Sequence, residues 1–201
     1  MQKINKLGSM PVEIEKGFKK YKAKNWGEIP EVIKTPLREQ LYQEQNGLCC
    51  YCCQKLRFEW SHIEHLQSRK EYSNKCFDYN NLLLSCSTPK QCDNAKGNQE
   101  LPLNPLMDEC ENEIRLNLAG ELESTSERGN KSIDILRLNN RQARNWRKSL
   151  VDMISFVFDP TQLNSPPIGI QDPETLKLML DSYSESSQKH ELEYIVKKLT
   201  M

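Results

Sequence analysis

The sequence predicts an α+β fold, with a small cysteine-stapled core of short strands between an N-terminal arm and helix and a C-terminal helical region. Three observations point there. Every cysteine of the eight except Cys110 falls between positions 49 and 92 of a 201-residue chain. The same stretch is cut into apolar runs too short for long helices. From Gly129 onward, apolar residues recur at the spacing of an amphipathic helix. The expected division is an arm over 1–34, the stapled core over 35–120 and the helical region over 121–201.

Residues 1–34 read as an irregular arm, basic around "KGFKKYKAK" and broken by Pro11, Gly27 and Pro30. "TPLREQLYQEQNG" then reads as a helix. Thr35 is its cap, Pro36 suits the first turn and Gly47 supplies a left-handed stop. Strands are expected around Arg57 to His65 and Leu82 to Ser85, with a short helix opening at "CDNAKGNQEL". "IRLNLAGELES" alternates Ile114, Leu116 and Leu118 about a turn at Ala119-Gly120, which predicts a hairpin. Leu136, Ala143, Trp146, Leu150, Met153 and Val157 then form one apolar stripe. "DPTQLNSPPIGIQDP" is a linker, and two helices near 173–183 and 187–199 close the chain.

Charged residues make up 28% of the chain and apolar ones 37%, as in soluble globular proteins. Lys+Arg and Asp+Glu cancel at 28 each, so a nucleic-acid partner would have to be held by a local patch. The first residues carry no apolar core of a signal peptide. "SLVDMISFVF" is too short to span a bilayer and contains Asp152. A cytoplasmic protein with no membrane contact is expected. In that reducing compartment, clustered cysteines point to metal rather than disulfides.

The favoured pairs are Cys49 with Cys52 and Cys86 with Cys92. A C-x-x-C turn sets two thiolates on one side of a knuckle, and a distant pair completes a zinc tetrahedron with Zn–S bonds of about 2.3 Å. Five residues separate Cys86 from Cys92, so Pro89 must shape a wide loop. Cys50 and Cys53 form a second C-x-x-C one residue out of register and stay open as an alternative. Cys76 and Cys110 stand alone and read as buried thiols.

Two of the three histidines lie in "SHIEHLQSR", and neither their spacing nor the glutamate's place fits the zinc-protease helix. With "LREQLYQEQNGLCCYC", "NNLLLSC", "CDNAKGN" and "LNPLMDECENEI", this stretch resembles the HNH (ββα-metal) nucleases. More narrowly, it resembles the PtuB-like effectors of Septu-type and retron-associated anti-phage systems, over roughly the first two thirds of the chain. The resemblance implies a metal-dependent endonuclease acting on DNA or RNA. It makes His65 the general base, Glu64 and Asp93 the ligands of a catalytic Mg²⁺ or Mn²⁺, and Asn81 the residue that holds the base's loop. Many family members carry His or Asn where Asp93 stands, and Asn94 is the substitute if the register slips. Lys96 faces either the phosphate or solvent, His62 reads as an exposed strand residue or else a third, pH-sensitive helper, and His190 has no role. The resemblance also implies a PtuA-like ATPase partner and, in retron-associated systems, a reverse transcriptase with its nucleic acid.

The residue chemistry agrees with that expectation. Phosphodiester hydrolysis needs a base near neutrality and a hard cation on oxygen ligands. Arg137, Arg141, Arg144 and Lys148 recur at helical spacing and would bind phosphates, or else form a solvated face paired with acids such as "MDECENE". A non-catalytic zinc-ribbon binding or scaffold subunit is the competing reading. It explains the cysteines and the basic helix, but not Glu64, His65, Asn81 and Asp93 in that order. No G-x-x-x-x-G-K-[ST] occurs, so an ATPase must be a separate chain, docked on the tail after Asp159 or the arm before Trp26. Leu176, Leu180, Leu192, Ile195 and Leu199 would give that tail an apolar face, or finish the protein's own core.

Overall fold

The arm is helical where an irregular segment was expected. In the computed structural model, which describes residues 1–7, 9–21, 25–158, 180–183 and 188–199, Pro11 opens α1 (Val12–Tyr21). Its carbonyl accepts from the Ile14 and Glu15 amides. Gly17 lets α1 lie against the next helix, since a Cβ there would come within 2.4 Å of the Ile33 side chain. That helix, α2 (Glu31–Glu44), starts behind Pro30 rather than at Thr35. Pro36 therefore sits inside it and forfeits the bond to the Val32 carbonyl. Val32 is exposed, so water can satisfy that carbonyl. Gly47, at φ +69°, ends the helix as expected and donates to the Tyr42 carbonyl.

Beyond Gly47 the chain makes a tight knuckle closed by a bridge between Leu48 and Lys55. Buried Gln45 ties it to the sheet: its amide donates to the Leu48 and Leu84 carbonyls and its oxygen accepts from the Leu84 amide. Strands β1 (Ser61–His65) and β2 (Leu82–Cys86) pair antiparallel, with Ser61 opposite Cys86 and His65 opposite Leu82. Leu82, Leu83 and Leu84 are all buried, which explains a strand without polar alternation. A short helix, α3 (Cys92–Lys96), follows and ends at Gly97, φ +55°. This strand–strand–helix unit is the part that the spacing of the sequence predicts.

After α4 (Glu109–Glu113) comes the expected hairpin of β3 (Ile114–Leu116) and β4 (Leu122–Ser124). The helical pattern that follows is broken in two. α5 (Glu127–Ile135) is capped by Ser126, and α6 (Arg141–Phe158) by the Asn140 side chain. The turn between them passes through Arg137 at φ +50°. Gly120, at φ +80°, packs the hairpin turn on α6: a Cβ would meet the Arg144 carbonyl oxygen at 2.5 Å and the Lys148 nitrogen at 2.7 Å. Gly120→Ala should therefore destabilise the fold by about 1–3 kcal/mol in urea denaturation. An unshifted midpoint would mean that this contact is not made in solution.

The chain is α+β, and the three expected segments share one buried cluster. It runs from Ile4 and Ile14, through Leu37 and Leu84, to Ile133, Leu192 and Ile195. The last two belong to α7 (Lys189–Leu199), and each is 0% exposed. The apolar face offered for docking thus finishes the protein's own core, with Leu180 and Leu199 packed against it. Leu176, the proline-rich linker and most of the 173–183 helix lie outside the described residues.

Candidate functional site

Cys49, Cys52, Cys86 and Cys92 meet with their sulfurs all within 4.8 Å of one another. The first pair comes from the knuckle; Cys86 ends β2 and Cys92 opens α3. The Cys49–Cys92 sulfurs lie 3.8 Å apart and the Cys52–Cys86 sulfurs 3.9 Å. A tetrahedron with bonds of about 2.3 Å has edges of about 3.8 Å, so these thiols fit a zinc ion without rearrangement. The Cys86 amide donates to Cys49 Sγ, the kind of bond that holds a thiolate in place. Cys50 and Cys53 stay outside this group.

Charge within the cluster favours a metal. Burial alone would raise the Cys49 thiol, but hydrogen bonds from Cys50, Cys52, Cys86 and Cys92 hold it well below its ordinary range. Arg147 is 0% exposed and has no carboxylate partner among the described residues; burial pulls its pKa down, and Tyr194, Cys52, Cys53 and Cys92 oppose that. Its guanidinium donates to the Gly120 and Leu138 carbonyls and to Asn139, while Nη1 has no hydrogen-bond partner among the described residues. Four thiolates on one Zn²⁺ leave a net charge of −2, which a buried cation offsets. The Cys92 amide donates to the Leu136 carbonyl and Asn140 to Gln91, so the α5–α6 turn braces the wide cysteine loop. The sequence carried a signal for Arg147: it shares helical spacing with buried Ala143, Leu150 and Ile154.

A second group lies on the other side of Ser85. His62, Glu64 and Asp93 offer ligand atoms within 4.8 Å of one another. His62 and Glu64 are two apart on β1 and share a face, and Asp93 comes from the first turn of α3. His62 Nδ1 is 2.6 Å from Asp93 Oδ2, and Ser85 donates to Asp93 Oδ1. His62 is an exposed strand residue, as expected, and it also lies in this group; its i, i+2 spacing to Glu64 was the available signal. The Asp93 hydrogen bond raises its pKa, against partial burial. Glu64 is buried, and both Tyr51 (2.9 Å) and Lys96 (2.6 Å) donate to its Oε1. Burial raises its pKa, and the Lys96 charge opposes that. The three ligand atoms are close enough together that the group could hold a metal ion.

Lys96 is 1% exposed, so it serves Glu64 rather than facing the phosphate or solvent. The Asn94 side chain accepts from the Lys90 amide, whereas Asp93 lies with His62 and Glu64.

His65 is 4% exposed, on the opposite face of β1, with its ring edge-on to Trp26 at 4.7 Å. The residue that the resemblance makes the general base is thus also part of the packing around Trp26. Its Nε2 lies 3.0 Å from the Cys76 carbonyl, which can only accept, so the lone pair is left on Nδ1. Burial pulls its pKa down to about 4, and the ring is neutral near pH 7. Asn81 holds the loop around that carbonyl. It donates to the Gln67 and Lys75 carbonyls and accepts from the Gln67 amide.

Of the expected basic stripe, Arg141, Arg144 and Lys148 lie at helical spacing on α6. Arg137 lies in the turn between helices, Arg144 pairs with Glu121, and Lys148 pairs with Asp152. Arg141 is exposed at the start of α6. No helix among the described residues is long and apolar enough to cross a membrane. No protein-family model matches this chain, and no curated protein matches it.

Proposed function

We propose that the protein is a metal-dependent nuclease of the HNH (ββα-metal) kind, hydrolysing phosphodiester bonds of nucleic acid, with a structural zinc on Cys49, Cys52, Cys86 and Cys92. The observation that carries this reading is the convergence of Glu64 from β1 and Asp93 from α3 on a strand–strand–helix unit stapled by four cysteines. A Mg²⁺ or Mn²⁺ ion on these oxygens supplies charge stabilisation to the phosphate and the departing oxygen. The remaining work falls to side chains. Lys96 and Tyr51 fix the Glu64 carboxylate, and Ser85 fixes Asp93. His65, neutral and with its tautomer set by the Cys76 carbonyl, takes a proton from water. Asn81 keeps that carbonyl in place.

A second assignment of the base has its own support. The His62 side chain is 52% exposed and lies beside Asp93 on the Glu64 face, whereas His65 is nearly enclosed. The same resemblance gives the nuclease an ATPase partner in an anti-phage complex, which would keep an enzyme with no sequence-reading element under control. The zinc-ribbon alternative accounts for the cysteines and leaves the Glu64–Asp93 pair without a purpose.

Cleavage of duplex DNA, single-stranded DNA and tRNA by the purified chain, alone and with its ATPase, is the test. Cutting is expected when Mg²⁺ or Mn²⁺ is added and should be absent without either ion, in protein that keeps its zinc. Intact substrates under every condition would leave the binding-subunit reading in place.

A further inference from the structure

Trp60 is 72% exposed, the most exposed large apolar side chain among the described residues. An indole held out in water, beside a candidate centre, needs an explanation. It borders a groove of about 420 Å³ whose walls include Lys55 and Arg57, Thr88 and Pro89 of the cysteine loop, and Gln142 of α6. The lining contains two cations and no carboxylate. Arg57 makes no ion pair among the described residues, and the acidic neighbour of Lys55 is Glu191.

The groove and the Glu64–Asp93 centre share no lining residue, but the β1–β2 pair joins them. Ser87 donates to the Trp60 carbonyl, and Cys86, on the groove wall, pairs with Ser61. His62, the next residue on β1, faces Ser85, which holds Asp93. A strand whose phosphates follow Lys55 and Arg57 would therefore pass Trp60 and reach the centre within a residue or two of β1.

We propose that this groove takes a single strand of nucleic acid, with an unpaired base stacked on Trp60. The inference rests on the nuclease reading of the neighbouring centre and narrows its substrate to strands with accessible base faces. An indole gains from the π-face of any base, whereas bases inside a duplex present none. The two cations hold the backbone without reading sequence.

Fluorescence anisotropy with labelled oligothymidine, oligouridine and a DNA duplex, without divalent cation, measures binding apart from cleavage. Trp60→Ala should weaken binding of the single strands by about 5- to 100-fold and leave the duplex nearly unchanged. Trp60→Phe should keep most of the affinity, and Arg57→Ala should flatten its salt dependence. Trp60 supports no core, so an unshifted melting curve verifies that the variant is folded. Comparison of the thymidine and uridine arms separates DNA from RNA. Wild-type affinity for single strands in Trp60→Ala, or no single-strand binding by the wild-type chain, overturns the proposal. If Trp60→Ala instead abolishes binding of a protein partner, the groove is a protein-docking surface. Normal binding without any cleavage counts against the nuclease alone, and normal cleavage with unaltered binding by Trp60→Ala counts against the groove alone.

Discussion

Serine in place of Cys52 or Cys92 is expected to abolish zinc binding and leave the chain unfolded, whereas serine at Cys53 or Cys110 should keep the metal. All four are buried, so burial does not distinguish them; membership of the 4.8 Å cluster does. A structural zinc site contributes roughly 10–16 kcal/mol of apparent binding free energy, as much as or more than the roughly 5–15 kcal/mol that holds a whole domain together. Loss of one thiolate would also leave Arg147 buried beside a site with too little negative charge. By contrast, a serine hydroxyl at Cys110 should cost about 1–3 kcal/mol. Elemental analysis should find one zinc per chain in the wild type and in Cys53→Ser and Cys110→Ser. A folded wild-type chain with no zinc would defeat the prediction, and loss of zinc in Cys53→Ser would move the site to the other C-x-x-C.

The stapled core was legible because its signals are local. C-x-x-C spacing, a run of leucines between turn residues and Gly97 after a short polar stretch each dictate geometry within a few residues. The arm was read as irregular although Ile14, Phe18 and Tyr21 lie at helical spacing in α1; the lysines and Gly17 between them masked so short a stripe. Thr35-Pro36 imitates a helix start inside α2, whose true start depends on Pro30. Likewise, Arg137 adopts a positive φ with no glycine to announce it, which hid the break between α5 and α6. At the site, sequence order named the carboxylates. The burial of Lys96 and His65 depends on what α3 and Trp26 pack against, and that is tertiary information.

Glu64→Gln and Asp93→Asn should each lower cleavage about 10³-fold or more, because each removes charge from a cation that contributes several kcal/mol to the transition state. Excess Mg²⁺ should restore part of the loss. Glu64→Gln carries a separate cost: it leaves the Lys96 ammonium, 1% exposed, without its carboxylate. Breaking a buried pair in this way costs about 3–5 kcal/mol. Adding Lys96→Met should recover that stability and none of the activity, which separates the chemical loss from the folding loss. His65→Ala should lower cleavage about 10²- to 10⁴-fold and also lower the melting temperature, since its ring packs on Trp26. His65→Phe retains a ring, so it should recover stability and remain inactive. His62→Ala decides the base. A modest loss leaves His65 in that role, while a loss of about 10²- to 10⁴-fold, with His65→Phe still cutting, would transfer it to His62. Full activity in both Glu64→Gln and Asp93→Asn would remove the reason to place a catalytic cation here at all.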